Sequence, residues 1–122
     1  MPTMSLEWVQ LGADVDGAAA GDKLGSHVSL SNDGTRMAVG SPESDVSSDN
    51  AGKVSIYEYD AGSGAWSKLG GDILGEHSLD KSGSVCSLSG DGSRVAVGAE
   101  LNDDAGANAG HVRVFEYASG NN

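Results

Sequence analysis

The chain carries the stretch SGDGSRVAVG at residues 89–98 and a close copy of it, SNDGTRMAVG, at residues 31–40. Each copy places an Asp-Gly pair shortly before a short apolar run that ends at Gly. Asp-Gly favours a tight turn because Gly adopts the positive φ that such a turn needs, and the run that follows is typical of a buried strand. The two copies therefore predict two hairpins, each of which leads into a central strand.

The repeat extends well beyond these two stretches. Trp8 aligns with Trp66, and the same 58-residue offset continues without a gap to Tyr59 and Tyr117, with nearly half of the aligned positions identical. Apolar–polar alternation or a short apolar run between turns predicts four strands in each copy. The predicted strands are residues 7–11, 26–31, 36–40 and 53–59 in the first copy and residues 65–69, 84–89, 94–98 and 111–117 in the second.

Four antiparallel strands per unit, repeated in tandem with one Trp and one Gly-rich turn each, are typical of the blades of a β-propeller. The predicted fold class is therefore all-β, with two four-stranded antiparallel β-propeller blades in tandem that neighbouring chains complete. Residues 1–64 form the first blade repeat, in which strand 7–11 belongs to a blade shared with another chain. Residues 65–122 form the second blade repeat.

The phase of the repeat leaves one strand without a partner. The second predicted blade ends with strand 111–117 and lacks its last strand, whereas an unpaired copy of that strand lies at residues 7–11. Because an open strand edge is a template for pairing, we expect strand 7–11 of one chain to complete the second blade of the next. Such a head-to-tail contact closes into a ring or continues as a filament. We assign self-association to Trp8, Val9, Leu11, Val112, Val114 and Phe115. The alternative is that the 122 residues of this sequence were cut from a longer array of repeats.

Three stretches of the second copy carry a family resemblance: GSVCSLSGDG at residues 83–92, VAVGA at 95–99 and GHVRVF at 110–115. They resemble FG-GAP repeats, the blades of the integrin α-subunit propeller and related surface proteins, over residues 25–59 and 83–117. The resemblance implies a propeller, an extracellular or cell-surface location, and adhesion or ligand binding by the loops. Calcium-binding blades of that family have a longer acidic loop where this chain has Asp33-Gly34 and Asp91-Gly92, so the calcium site of the family is not expected there.

Composition narrows the range of partners. The chain has 18 acidic and 7 basic residues, a formal net charge of −11, so nucleic acid and anionic membranes are not expected to bind it. The acidic surplus suits either a solvated surface or a hard cation such as Ca²⁺. The lone Cys86 cannot form an intrachain disulfide, and its apolar strand predicts a buried small residue. No signal-peptide pattern is visible at the N-terminus.

Two loops, residues 42–51 and 100–109, concentrate Asp and Asn. Their side chains could hold Ca²⁺, with Asp45 and Asp103 as ligands, or could hydrogen-bond the hydroxyl groups of a carbohydrate. The alternative is that they form Asx-turns within exposed loops. No cofactor other than this Ca²⁺ is expected. The candidate binding residues are Asp45, Asp49, Asn50, Asn102, Asp103, Asp104 and Asn108.

The sequence contains no catalytic constellation. His27, His77 and His111 do not occupy equivalent positions of the two copies, and none lies in a nucleophile motif, so we expect a non-enzymatic protein.

Two functional hypotheses remain. The first is a structural module whose partner is itself and which assembles into a ring or a filament. The second is a ligand-binding propeller that uses the acidic loops to bind carbohydrate or a surface protein.

Overall fold

The computed structural model describes residues 6–118, and these residues form eight strands and no helix. The fold is therefore all-β, as predicted. The strands are β1 (His27–Leu30), β2 (Arg36–Ser41), β3 (Lys53–Asp60), β4 (Ala65–Lys68), β5 (Ile73–Leu74), β6 (Val85–Leu88), β7 (Arg94–Ala99) and β8 (His111–Glu116). Across residues 6–118 we find no helical segment of the length and apolarity needed to traverse a lipid bilayer.

The first sheet is antiparallel and has the order β1-β2-β3-β4, with β5 also paired to β3. Its fourth strand comes from the second sequence repeat, because Trp66 in β4 lies opposite Tyr59 in β3. The two rings are 5.3 Å apart between centroids, and the Trp66 Nε1–H donates a 2.8 Å hydrogen bond to the carbonyl oxygen of Leu11. The first strand of the second repeat thus completes the sheet of the first.

The second sheet has the order β6-β7-β8 and repeats the register of the first. Val97 of β7 lies opposite Cys86 and Arg113, just as Val39 of β2 lies opposite Val28 and Ser55. Within residues 6–118, no fourth strand pairs with the outer edge of β8.

The repeated Asp-Gly stretches form the predicted hairpins, but with longer loops. Main-chain pairing continues to Ser31 and Arg36, so four residues, 32–35, form the loop rather than the Asp-Gly pair alone. The Asp33 carboxylate holds this loop because its Oδ1 accepts hydrogen bonds from the Ser31 hydroxyl and from the main chain and hydroxyl of Thr35, at 2.8–3.0 Å. Asp91 makes the same contacts in the second copy.

The core lies between the two sheets, where β1 and β2 face β6. Its fully buried members are small or branched apolar residues, which allow two sheets to approach closely. Ile56, Ile73, Leu88 and Phe115 pack around them. Burial raises the pKa of the Cys86 thiol to about 11, and the prediction that Cys86 is a buried small residue is confirmed. The core residues are Ala38, Val54, Cys86, Val95 and Val97.

Residues 7–11 differ from the prediction, since they form no strand in the single chain. A strand needs a partner to receive its hydrogen bonds, and none lies beside this segment within the described residues. The side chain of Trp8, which we assign to self-association, is fully exposed in the single chain. Strand β5 was not predicted, since two residues carry no periodic signal.

Candidate functional site

Two outer sheet faces expose apolar side chains. The front face, on the first sheet, consists of Val28, Leu30 and Met37, and the rear face, on the second sheet, consists of Val112 and Val114. Between the two sheets lies the internal junction, which contains the core. We compare each outer face with the repeat-related residues of that junction.

Equivalent residues differ sharply in burial. Cys86 is 0% exposed in the internal junction, whereas its counterpart Val28 on the front face is 56% exposed. Val54 is 0% exposed, whereas its counterpart Val112 on the rear face is 68% exposed. The front face is therefore the repeat counterpart of one side of the internal junction, and the rear face is the counterpart of the other side.

Polar contacts also cross the internal junction, and their repeat counterparts at the outer faces make no equivalent contact within residues 6–118. The Leu88 N–H donates to the Ser29 Oγ at 3.0 Å, and an Arg36 guanidinium N–H donates to the Gly92 carbonyl at 3.0 Å. The counterpart of Arg36 is Arg94, whose side chain is 65% exposed against 24% for Arg36. Both arginines hold a glutamate on the adjacent strand of their own sheet, Glu58 at 2.9 Å and Glu116 at 3.0 Å.

The main chain links the two sheets as well. Leu79, Lys81 and Ser82 donate their N–H groups to the carbonyls of residues 49–51, at 2.8–3.0 Å. The counterparts of these donors, at residues 21, 23 and 24, make no such main-chain hydrogen bond within the described part of the chain. Lys23 nevertheless has a φ of 59°, close to the 55° of Lys81, so this segment already has the local conformation of its paired copy.

The candidate loop residues mostly shape their own loops. The Asp45 Oδ1 accepts the Asn50 N–H at 2.8 Å, and the Asp103 Oδ1 accepts the Asn108 N–H at 2.7 Å. Both asparagines have positive φ, which Asn tolerates better than most residues. One oxygen of each proposed calcium ligand is therefore engaged in closing a loop.

Asn102 is fully buried, and its side chain connects two segments of the second sheet. Its Nδ2 donates to the Asp80 Oδ2 at 2.8 Å, and its Oδ1 accepts the Asp104 N–H at 2.9 Å. The structure thus gives Asn102 internal partners. Asp49 is exposed, and its carbonyl rather than its carboxylate makes the contact to Leu79.

Asp104 belongs to a small group that sequence reasoning did not find. His111 lies 3.5 Å from a Glu76 carboxylate oxygen and 3.8 Å from an Asp104 oxygen, and His77 lies 3.4 Å from Asp104. Glu76, Asp104 and His111 are the described residues best placed to share a cation. Glu76 has Ala18 as its repeat counterpart, so the repeat contained no signal for it.

The residues assigned to self-association divide into two groups. Trp8, Val9, Leu11, Val112 and Val114 are exposed in the single chain. Phe115 instead packs against the core of the internal junction. The front face was not among the assigned residues, although its apolar alternation in residues 26–31 was visible in the sequence.

No known family model matches this chain, and no curated protein matches it. The contacts and exposure of residues 6–118 are therefore the basis for inferring function.

Proposed function

We propose that the protein is a non-enzymatic assembly module whose FG-GAP-like blades bind further copies head to tail. The observation that supports this most directly is the burial contrast between repeat-related residues. The rear face repeats the side of the internal junction that contains Val54, and the front face repeats the side that contains Cys86. A second copy of the chain therefore offers each outer face the surface that its counterpart already binds.

The apolar faces alone give a marginal contact. Fully burying a Val or Leu side chain contributes roughly 1.5–3 kcal/mol, and the two faces expose Val28, Leu30, Val112 and Val114. Association costs on the order of 4–15 kcal/mol in lost freedom, which is comparable with the sum of these contributions. Additional contacts are needed, and the open edge of β8 can supply them.

We propose that residues 7–11 of the next copy pair with β8. The register of β4 on β3 places Trp66 opposite Tyr59, so the 58-residue offset places Trp8 opposite Tyr117 and Val9 opposite Glu116. This pairing adds main-chain hydrogen bonds and covers an exposed strand edge. It also places the exposed Trp8 against an aromatic ring, as Trp66 lies against Tyr59.

The contact joins two different surfaces, so its geometry generates a ring if the rotation closes and a filament if it does not. Two blades from each chain would give a propeller of six blades from three copies or eight from four, within the usual range of about four to eight. Electron microscopy of the assembly distinguishes the ring from the filament.

Sedimentation velocity at micromolar concentration tests the proposal. We expect the wild-type chain to form species larger than a monomer and Val114→Asp, on the rear face, to shift it to the monomer. Val46→Asp is the matched control, because Val46 is 62% exposed against 66% for Val114 but lies in loop 42–51, outside both faces. Circular dichroism should show that both variants remain folded. A wild-type chain that stays a folded monomer overturns the proposal.

A further inference from the structure

A partly buried carboxylate, that of Asp72, attaches the segment after β4 to β3. Asp72 accepts a 2.7 Å hydrogen bond from the Ser55 hydroxyl and lies 2.9 Å from the Lys68 ammonium and 3.6 Å from that of Lys53. Burial raises the pKa of Asp72, but the hydrogen bonds from Lys68 and Ser55 outweigh it, so the pKa lies below its usual value. One carboxylate therefore joins the segment after β4 to the neighbouring strand.

The repeat provides the same set of positions at the open edge, but with the charges rearranged. The counterpart of Asp72 is Asp14, and that of Lys68 is Gln10, whose Nε2 already donates to the Asp14 Oδ1 at 2.7 Å. The counterpart of Ser55 on the strand is Arg113. The segment has thus lost the positive charge of Lys68, whereas the strand has gained that of Arg113 in place of the Ser55 hydroxyl. The other cation around Asp72, Lys53 on β3, corresponds to His111.

Both charged partners lack an opposite charge within residues 6–118. Asp14 is exposed and forms no ion pair there, and Arg113 contacts no carboxylate there. The Arg113 guanidinium donates to the Leu74 carbonyl at 3.0 Å, while its Nε is buried without a hydrogen-bond partner. A buried donor without an acceptor costs free energy, which an incoming carboxylate would relieve.

We infer that Asp14 of one copy forms an ion pair with Arg113 of the next and that this pair selects which surfaces meet. The inference rests on the proposed head-to-tail assembly and specifies its recognition chemistry. Asp14 of one copy docks beside β8 of the next in the way that Asp72 docks beside β3. The Arg113 guanidinium holds the Asp14 carboxylate, whereas the Ser55 hydroxyl and the Lys68 ammonium hold that of Asp72. Where the segment after β4 docks on β3 within the chain, Ser55 stands at the position of Arg113, so the charged pair belongs only to contacts between copies.

A charge exchange between two variants tests the pair, with association measured by sedimentation velocity. Asp14→Arg and Arg113→Asp each place like charges at the junction, and we expect each alone to weaken association by at least about tenfold. In an equimolar mixture each junction between the two variants joins opposite charges, so association should return, in full for a filament or a ring of four copies and in part for a ring of three. The doubly substituted chain, Asp14→Arg with Arg113→Asp, should also associate. Asp49→Arg is the control for net charge, since Asp49 lies in loop 42–51.

The outcomes distinguish the ion pair from the head-to-tail assembly. If the wild-type chain associates and both single variants associate equally well, the ion pair is overturned and the head-to-tail assembly stands. If the single variants fail and neither the mixture nor the double variant recovers, the two residues do not pair and the inference is again overturned. If the wild-type chain itself does not associate, the assembly proposal fails and the ion pair fails with it.

Discussion

At the scale of single residues, the carboxylate of each hairpin loop couples the fold to pH. The Asp91 Oδ1 accepts hydrogen bonds from the Ser93 N–H and hydroxyl and from the Ser89 hydroxyl, and the first of these does most to lower the pKa of Asp91, to about 2 from an ordinary value of 3.8. A lowered pKa in the folded state means that the anion stabilises the fold. This contribution is fully present above the ordinary pKa and is lost as the pH falls through about 2.

We therefore expect Asp91→Asn to lower the melting temperature at neutral pH, because a neutral amide is a weaker acceptor for the same donors. The difference from wild type should narrow below pH 3.8 and vanish near pH 2. Melting followed by circular dichroism across this range measures it. Asp49→Asn, at an exposed loop position, is the control and should keep the wild-type melting temperature at neutral pH. A difference that stays constant down to pH 2 would contradict the assignment.

At the scale of strands, most of the fold follows from periodicity. Seven of the eight strands, all except β5, lie within about one residue of the predicted bounds, because alternating apolar residues next to Asp-Gly turns are a strong local signal. Residues 7–11 have a composition typical of a strand, but no strand pairs with them within residues 6–118. Pairing depends on the tertiary fold and is not encoded locally. Sequence alone did not find Glu76 beside His111, because that contact depends on tertiary placement. The 58-residue offset aligns Arg113 with Ser55, but the burial of the Arg113 Nε is a tertiary feature.

Two repeat-related glycines, Gly40 and Gly98, allow the effect of a substitution on folding to be measured separately from its effect on assembly. In β2, a Cβ at Gly40 would overlap the carbonyl oxygen of Gly83 across the internal junction. In β7, the counterpart Gly98 has space, since its added Cβ would lie 3.5 Å from the nearest atom, the Val85 oxygen. In the proposed assembly, Gly98 instead faces Gly25 of the next copy, so its space is filled only between chains.

We expect Gly40→Ala to destabilise the chain by roughly 1–3 kcal/mol, as overpacking of a close contact does. Gly98→Ala should leave the stability of the monomer within about 0.5 kcal/mol of wild type and weaken association. Denaturant unfolding at low concentration measures the first quantity and sedimentation the second. Equal destabilisation by the two substitutions, or full association of Gly98→Ala, would contradict the proposed geometry of the junction.

At the scale of the whole molecule, the core lies between the two sheets, and the proposed contacts between copies repeat this internal junction. In each repeat, the segment that follows the first predicted strand leads to the next sheet. In the first repeat, residues 10–16 line a groove together with Val28, Met37 and Val39 of the first sheet. In the proposed assembly, a second copy contacts this groove, whose backbone conformation is already formed in the single chain. Assembly of this kind stabilises the folded chain by mass action, because only folded copies present the faces.

The melting temperature should therefore rise with protein concentration. Each tenfold increase in the free partner above the dissociation constant adds about 1.4 kcal/mol to the stability of a folded copy. Calorimetry over two or three decades of concentration should show this rise for the wild-type chain and a flat profile for Val114→Asp, which has lost the rear face but keeps the internal junction. The Val46→Asp control should follow the wild type, since its substitution leaves both outer faces intact. A wild-type melting temperature that does not depend on concentration would mean that the internal junction alone stabilises the fold and that the outer faces bind no second copy.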